Sequence, residues 1–171
     1  SKNLQKGEEV SNLSTHDFEE KIKKNYTRYW NAFLNFQINY MVSGKKFFGD
    51  YESFMCIGAC ALNQSFDFIN KQSQKSESTK DISDNITLLK KSQGLNPTTI
   101  SDLTGIPRAT VIRKLQNLMR NKFLNKNEKN LFHISSPKKN SQAYNLLKKR
   151  FYYHQSQVRS LITEIINYTK V

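Results

Sequence analysis

Between residues 94 and 107 the chain is cut by Gly94, Asn96-Pro97, Gly105 and Ile106-Pro107, a spacing that leaves room only for a short helix between the breaks. Thr98 or Thr99 stands where a helix cap is wanted, Ile100 and Leu103 supply its apolar side, and Gly105 ends it. Pro107 suits the first positions of the next helix. That helix runs over about 107–121 and turns Val111, Leu115 and Leu118 inward at helical spacing. Two short extended runs follow, 123–126 and 130–134, flanking Asn127-Glu128-Lys129, and they read as a hairpin. Upstream, Ile86, Leu88 and Leu89 suggest another short helix that stops near Gly94.

The charge of the chain gathers on this segment. The net charge is +13 and the pI about 9.7, which favours a polyanionic partner, either nucleic acid or an anionic membrane surface. Residues 1–70 are neutral overall, whereas 96–140 carry +7 of the +13. A merely solvated surface would not need that asymmetry. Subtracting the inward residues leaves Arg108, Ala109, Thr110, Ile112, Arg113 and Lys114 as the outer surface of the second helix. Arg binds guanine O6 and N7 bidentately, and Thr or Ile methyls suit thymine. Arg120, Lys122, Lys126 and Lys129 read as phosphate contacts, with Thr99 added at the first helix.

The run Thr99-Ile100-Ser101-Asp102-Leu103-Thr104-Gly105-Ile106-Pro107-Arg108-Ala109-Thr110-Val111-Ile112-Arg113-Lys114-Leu115 resembles the helix-turn-helix of bacterial winged-helix repressors. Leu118 to Ile134 resembles their helix end and wing. The nearest groups in style are the MarR-like regulators and, second, the IclR-like ones. The resemblance implies that the helix from about Pro107 lies in the DNA major groove while the wing touches the backbone. It also implies a homodimer joined through terminal helices, and a small apolar or aromatic effector held in the aromatic-rich N-terminal half. The plainer alternative is that those aromatics fill a core and a dimer interface. Two positions depart from the family's habit: Ile112 stands where a small polar residue is usual, and Lys122 where glycine is.

The flanks are helical. The first dozen residues are polar. Leu13-Ser14-Thr15-His16-Asp17-Phe18 then signals a helix start, with Ser14 as cap and Leu13 stapled to Phe18. Phe18, Ile22, Tyr26, Tyr29, Phe33, Phe36 and Tyr40 predict one continuous helix of about six turns, with Gly44 as its terminator. Asp50 is placed to cap a second helix to about Ile69, apolar nearly all round and hence expected at the centre. Residues 71–81 read as a polar linker. After Ser136-Pro137, Tyr144, Leu147, Phe151, His154, Val158, Leu161, Ile165 and Tyr168 form a heptad-like seam. It must be buried against the N-terminal helices or a second chain.

The fold class expected is therefore mainly α, a winged helix-turn-helix with a small hairpin wing and long terminal helices. The expected divisions are 1–13, 14–70 (dimerisation or effector pocket), 71–81, 82–135 (DNA binding) and 136–171 (dimerisation). No apolar run reaches transmembrane length and the N-terminus has no apolar signal region, so a cytoplasmic, nucleoid-associated protein is expected. Cys56 and Cys60 read as small buried apolar residues. His16, His133 and His154 lie far apart, and no phosphate loop or acid–base constellation stands out. No catalysis, cofactor or metal is expected. The competing function is a protein-interaction module built on the same scaffold.

Overall fold

The computed structural model describes residues 14–72, 93–135 and 141–169. Their elements are helices α1 (Thr15–Lys24), α2 (Tyr26–Phe48) and α3 (Tyr51–Gln72), then α4 (Pro97–Thr104) and α5 (Arg108–Arg120), strands β1 (Leu124–Lys126) and β2 (Phe132–Ile134), and α6 (Gln142–Thr169). The architecture is mainly helical with one antiparallel hairpin, as expected for a winged helix-turn-helix. The staple residue Leu13, the linker 71–81 beyond Gln72 and the short helix expected around 86–89 lie outside the described residues.

The chain divides into two compact units, 1–40 with 153–171 and 41–152. The first contains α1, most of α2 and the C-terminal part of α6. Ser14 caps α1, accepting from the Asp17 amide at 3.1 Å while its hydroxyl donates to the Asp17 carboxylate at 2.7 Å. The expected six-turn helix is broken at Asn25. Its side-chain amide donates to the Lys21 carbonyl at 3.2 Å, competing with the helical backbone, and its own carbonyl accepts from Arg28 to begin α2. Tyr29 meets Tyr168 edge-on at 5.7 Å, Tyr40 lies 4.8 Å from His154 between ring centroids, and the Lys21 ammonium donates to the Thr169 carbonyl. The C-terminal seam is thus partly covered within the chain: His154, Val158, Leu161, Ile165 and Tyr168 are half-buried.

The second unit is built around α3, whose buried side packs on α4, α5 and β2. Phe54, Cys56, Ile57 and Cys60 of α3 belong to the core, as do Ile100, Val111, Leu115, Leu118, Leu124 and Phe132. α3 thus lies in the same compact unit as α4, α5 and the hairpin. Burial pushes the Cys56 thiol up to about 11 and the Cys60 thiol up to about 12, so both behave as small apolar fillers.

Gly44 does not end a helix. α2 runs through it to Phe48 and stops at Gly49, whose φ of +96° lets its amide reach the Lys45 carbonyl at 2.8 Å. Gly44 is needed for a different reason: the Phe54 ring occupies the place of its missing Cβ, 2.5 Å from where that atom would stand. Asp50 caps α3 as expected, accepting from the Ser53 amide at 2.7 Å. However, α3 is not covered all round. Tyr51, Met55, Leu62 and Phe66 are exposed.

Candidate nucleic-acid interface

The α4 cap is Asn96, not a threonine. Its Oδ1 accepts from the Thr99 amide at 2.9 Å and from the Thr99 hydroxyl at 3.3 Å, with Pro97 in the first turn, where no amide is needed. Gly105 ends α4 in the left-handed conformation, φ +69°, and its amide donates to the Ser101 carbonyl at 2.8 Å. The turn into α5 is pinned by the Ser101 hydroxyl, which donates to the Ile106 carbonyl at 2.7 Å. Arg108 Nε reaches back to the Thr98 hydroxyl at 3.2 Å.

Val111, Leu115 and Leu118 hold α5 to the core. At 100° per residue, Ala109, Arg113, Gln116 and Arg120 line up on the opposite side, and all four are exposed. Asn117 is exposed beside them, and Thr110 and Ile112 are half-buried at the margins. Gln116 and Asn117 were missed in the sequence. The spacing 109, 113, 116, 120 would have found the first.

Lys114 is a correction. It was expected outside, but only 6% of it is exposed. Its position explains this, because it stands three after Val111 and four before Leu118, on the inward side. Its ammonium lies 2.8 Å from Asp50 Oδ2 and 2.9 Å from Glu52 Oε2. The hydrogen bond to Asp50 outweighs desolvation and raises the Lys114 pKa, with Glu52 adding to it. Burial alone would raise the Asp50 pKa, but hydrogen bonds from Lys114 and Ser53 hold it below the ordinary carboxylate value. The two ion pairs anchor the middle of α5 to the cap and first turn of α3.

Past α5 the chain turns at Lys122, whose φ is +60°. The Phe123 amide donates to the Leu118 carbonyl and the Lys122 amide to the Met119 carbonyl, both at 2.9 Å. This is the Schellman end of a helix, which favours glycine at the Lys122 position. Lys122 holds the left-handed conformation with a full side chain that projects into solvent.

The hairpin pairs Leu124 with Ile134 and Lys126 with Phe132. Leu95 adds a bridge on the far side of β2, exchanging both backbone hydrogen bonds with Phe132 at 2.7 and 2.8 Å. The approach is so close that a Cβ on Gly94 would lie 2.8 Å from the Phe132 carbonyl. Asn127 closes the turn, accepting from the Leu131 amide at 3.0 Å and donating to the Gln93 carbonyl at 2.8 Å. Buried Gln64 of α3 accepts from the Ile134 amide at 2.8 Å, tying the wing to the core. Lys126 and Lys129 are exposed, with the Lys126 ammonium 5.5 Å from the Phe132 ring centroid. Thr99 is half-buried and engaged with its cap.

Among the described residues no His, Cys, Asp and Glu cluster could hold a metal ion, and no helix is long and apolar enough to cross a membrane. Residues 87–128 match the family model of the IclR helix-turn-helix domain, which spans α4, the turn, α5 and β1. Of the two resemblances read from the sequence, the IclR-like one is therefore the one a family model supports. The chain matches no curated protein sequence and no solved structure.

Proposed function

Since the chain carries the winged helix-turn-helix of a DNA-binding transcription regulator, we propose that it reads a pseudo-palindromic operator as a homodimer. The observation that carries this reading is the exposed row Ala109, Arg113, Gln116 and Arg120 on α5, opposite the core-facing stripe of that helix. Arg113 sits in the middle of the row and is the base-reading residue, and Arg108, Ala109, Thr110 and Ile112 shape the contact around it. Arg120, Lys122, Lys126 and Lys129 take phosphates, and Thr99 sits at the start of α4 beside them in role. A second copy supplies the second recognition helix, in keeping with the two-fold symmetry of a palindrome.

The effector in this reading is a small apolar or aromatic molecule held by the N-terminal aromatics. The Tyr29 hydroxyl, buried with no hydrogen-bond partner among the described residues, would pair with a polar group carried by such an aromatic molecule.

The test is duplex binding as a function of salt, after selection of bound fragments from random DNA. With about four phosphates taken by each copy, log affinity should fall against log salt with a slope of about −7 for the dimer. The selected fragments should share a palindromic motif. A slope near zero with no enriched motif would refute DNA reading and favour the protein-interaction module.

A further inference from the structure

We propose that the outward side of α3 is the two-fold contact through which two copies of this chain pair; the proposal deepens the homodimer reading above and rests on it. Tyr51, Met55, Leu62 and Phe66 are 42, 40, 53 and 57% exposed. At 100° per residue they fall within one narrow arc, opposite the side of α3 that packs on α4, α5 and β2. An exposed apolar stripe of this kind on a soluble domain marks an interaction surface.

The order of residues along the stripe identifies the partner. Read from either end the stripe's exposed large residues run aromatic, aliphatic, aliphatic, aromatic, namely Tyr51, Met55, Leu62 and Phe66, with half-buried Gly58 beside the midpoint and Ala59 turned into the core. The centre of this palindrome is the peptide bond between Gly58 and Ala59. A two-fold contact is isologous, so whatever residue i meets must in turn meet residue i. Two α3 helices laid antiparallel satisfy this with Tyr51 of each copy beside Phe66 of the other, and Met55 beside Leu62. Gly58 falls at the crossing point, where helices approach most closely. Space is free there, with no heavy atom within 4 Å of where a Gly58 Cβ would stand.

The area is of the right order. The four large side chains expose on the order of 400 Å² per copy, half of the roughly 800 Å² per partner in a standard interface. The polar rim must supply the rest. The Glu52 carboxylate at the edge of the stripe is engaged by Lys114, and the Lys45 ammonium lies 5.1 Å from the Tyr51 ring centroid at one end, where it belongs to the polar rim. Since α3 also holds α5 through Lys114 and the wing through Gln64, pairing through α3 would set both recognition helices by contacts within one compact unit.

The experiment is sedimentation equilibrium on the full chain with circular dichroism and DNA titration alongside. Wild type should be dimeric at micromolar concentration. Leu62→Glu places a charge on an exposed residue, so helicity should be kept while dimer dissociation rises at least about 100-fold. Cross-linking tests the geometry without depending on that variant. A mixture of Met55→Cys and Leu62→Cys chains should oxidise mainly to the mixed disulfide dimer, and either variant alone should cross-link poorly. Mixed dimers at or below the level of same-variant dimers would overturn the antiparallel pairing. A folded Leu62→Glu that remains as dimeric as wild type would overturn this face and leave the homodimer reading standing. A wild type that is monomeric, yet binds DNA with a single-copy salt slope, would overturn both and leave the DNA reading intact.

Discussion

The Lys114 cluster makes an asymmetric prediction. The ammonium is covered, with 8% of the side chain exposed, whereas the side chains of Asp50 and Glu52 are 41% and 47% exposed. Lys114→Met keeps the apolar stem and leaves two carboxylates that water can solvate. It should cost only the ion pairs, about 1 kcal/mol together. Asp50→Ser with Glu52→Gln keeps a capping oxygen at position 50 but strands the ammonium under cover. A deeply buried pair broken in this way costs about 3–5 kcal/mol. This ammonium lies just beneath the surface and has a short way to water, so about 2 kcal/mol is expected. With a urea slope of about 2 kcal/mol/M, the midpoints should fall by about 0.5 M and about 1 M respectively. The triple variant should recover to near the Lys114→Met value, since nothing is left unpaired. Urea unfolding followed by far-ultraviolet circular dichroism measures all three. An acid-removing double variant milder than Lys114→Met, or a triple variant no better than the double, would refute the reasoning. The pH dependence has a fixed sign. The Asp50 contribution is complete above the ordinary carboxylate range and is lost as pH falls through its depressed pKa. The Lys114 contribution is complete below the ordinary lysine range and is lost as pH rises through its raised pKa. The stability gap between wild type and the triple variant should therefore narrow at both extremes.

Four other substitutions test the remaining positions. Arg113→Ala should cost about 1–3 kcal/mol on the selected site and relax preference at one base, whereas Lys126→Ala should weaken all duplexes equally; fragment selection repeated on each variant separates the two. Lys122→Gly should raise the melting temperature by relieving about 1 kcal/mol of left-handed strain. The same change should make the dimer's salt slope shallower by about 2, and a lower melting temperature would show that Lys122 is unstrained. Gly44→Ala would ordinarily favour a helix interior by about 1 kcal/mol, but the Phe54 ring stands where the methyl must go. A net loss of about 1–3 kcal/mol is expected in thermal unfolding, and a gain would refute the close packing.

What the sequence alone determined is what acts over one helical turn or one chain reversal. Gly105 and Pro107 set the break between α4 and α5. Val111, Leu115 and Leu118 set the inward side of α5, Ser14 and Asp50 announced their caps, and the basic residues of 96–140 marked the charged segment. These signals need only neighbours three or four residues away, so a linear reading captures them. Asn25 and Asn96 were local too, but their side chains compete with other plausible hydrogen-bonding groups nearby, and the outcome depends on geometry. Other features exist only when distant residues meet. Gly44 looks like a terminator until Phe54 is packed onto it, and Gly94 looks like an ordinary turn until Phe132 is hydrogen-bonded to Leu95. Lys114 is turned inward by its spacing in α5, but its carboxylate partners Asp50 and Glu52 at the start of α3 are found only once the helices pack. The apolar run of α3 looks central until one side is used on α4, α5 and β2 and the other is left open. In each case the local sequence permits more than one partner, and the tertiary structure decides because it alone fixes which one stands opposite.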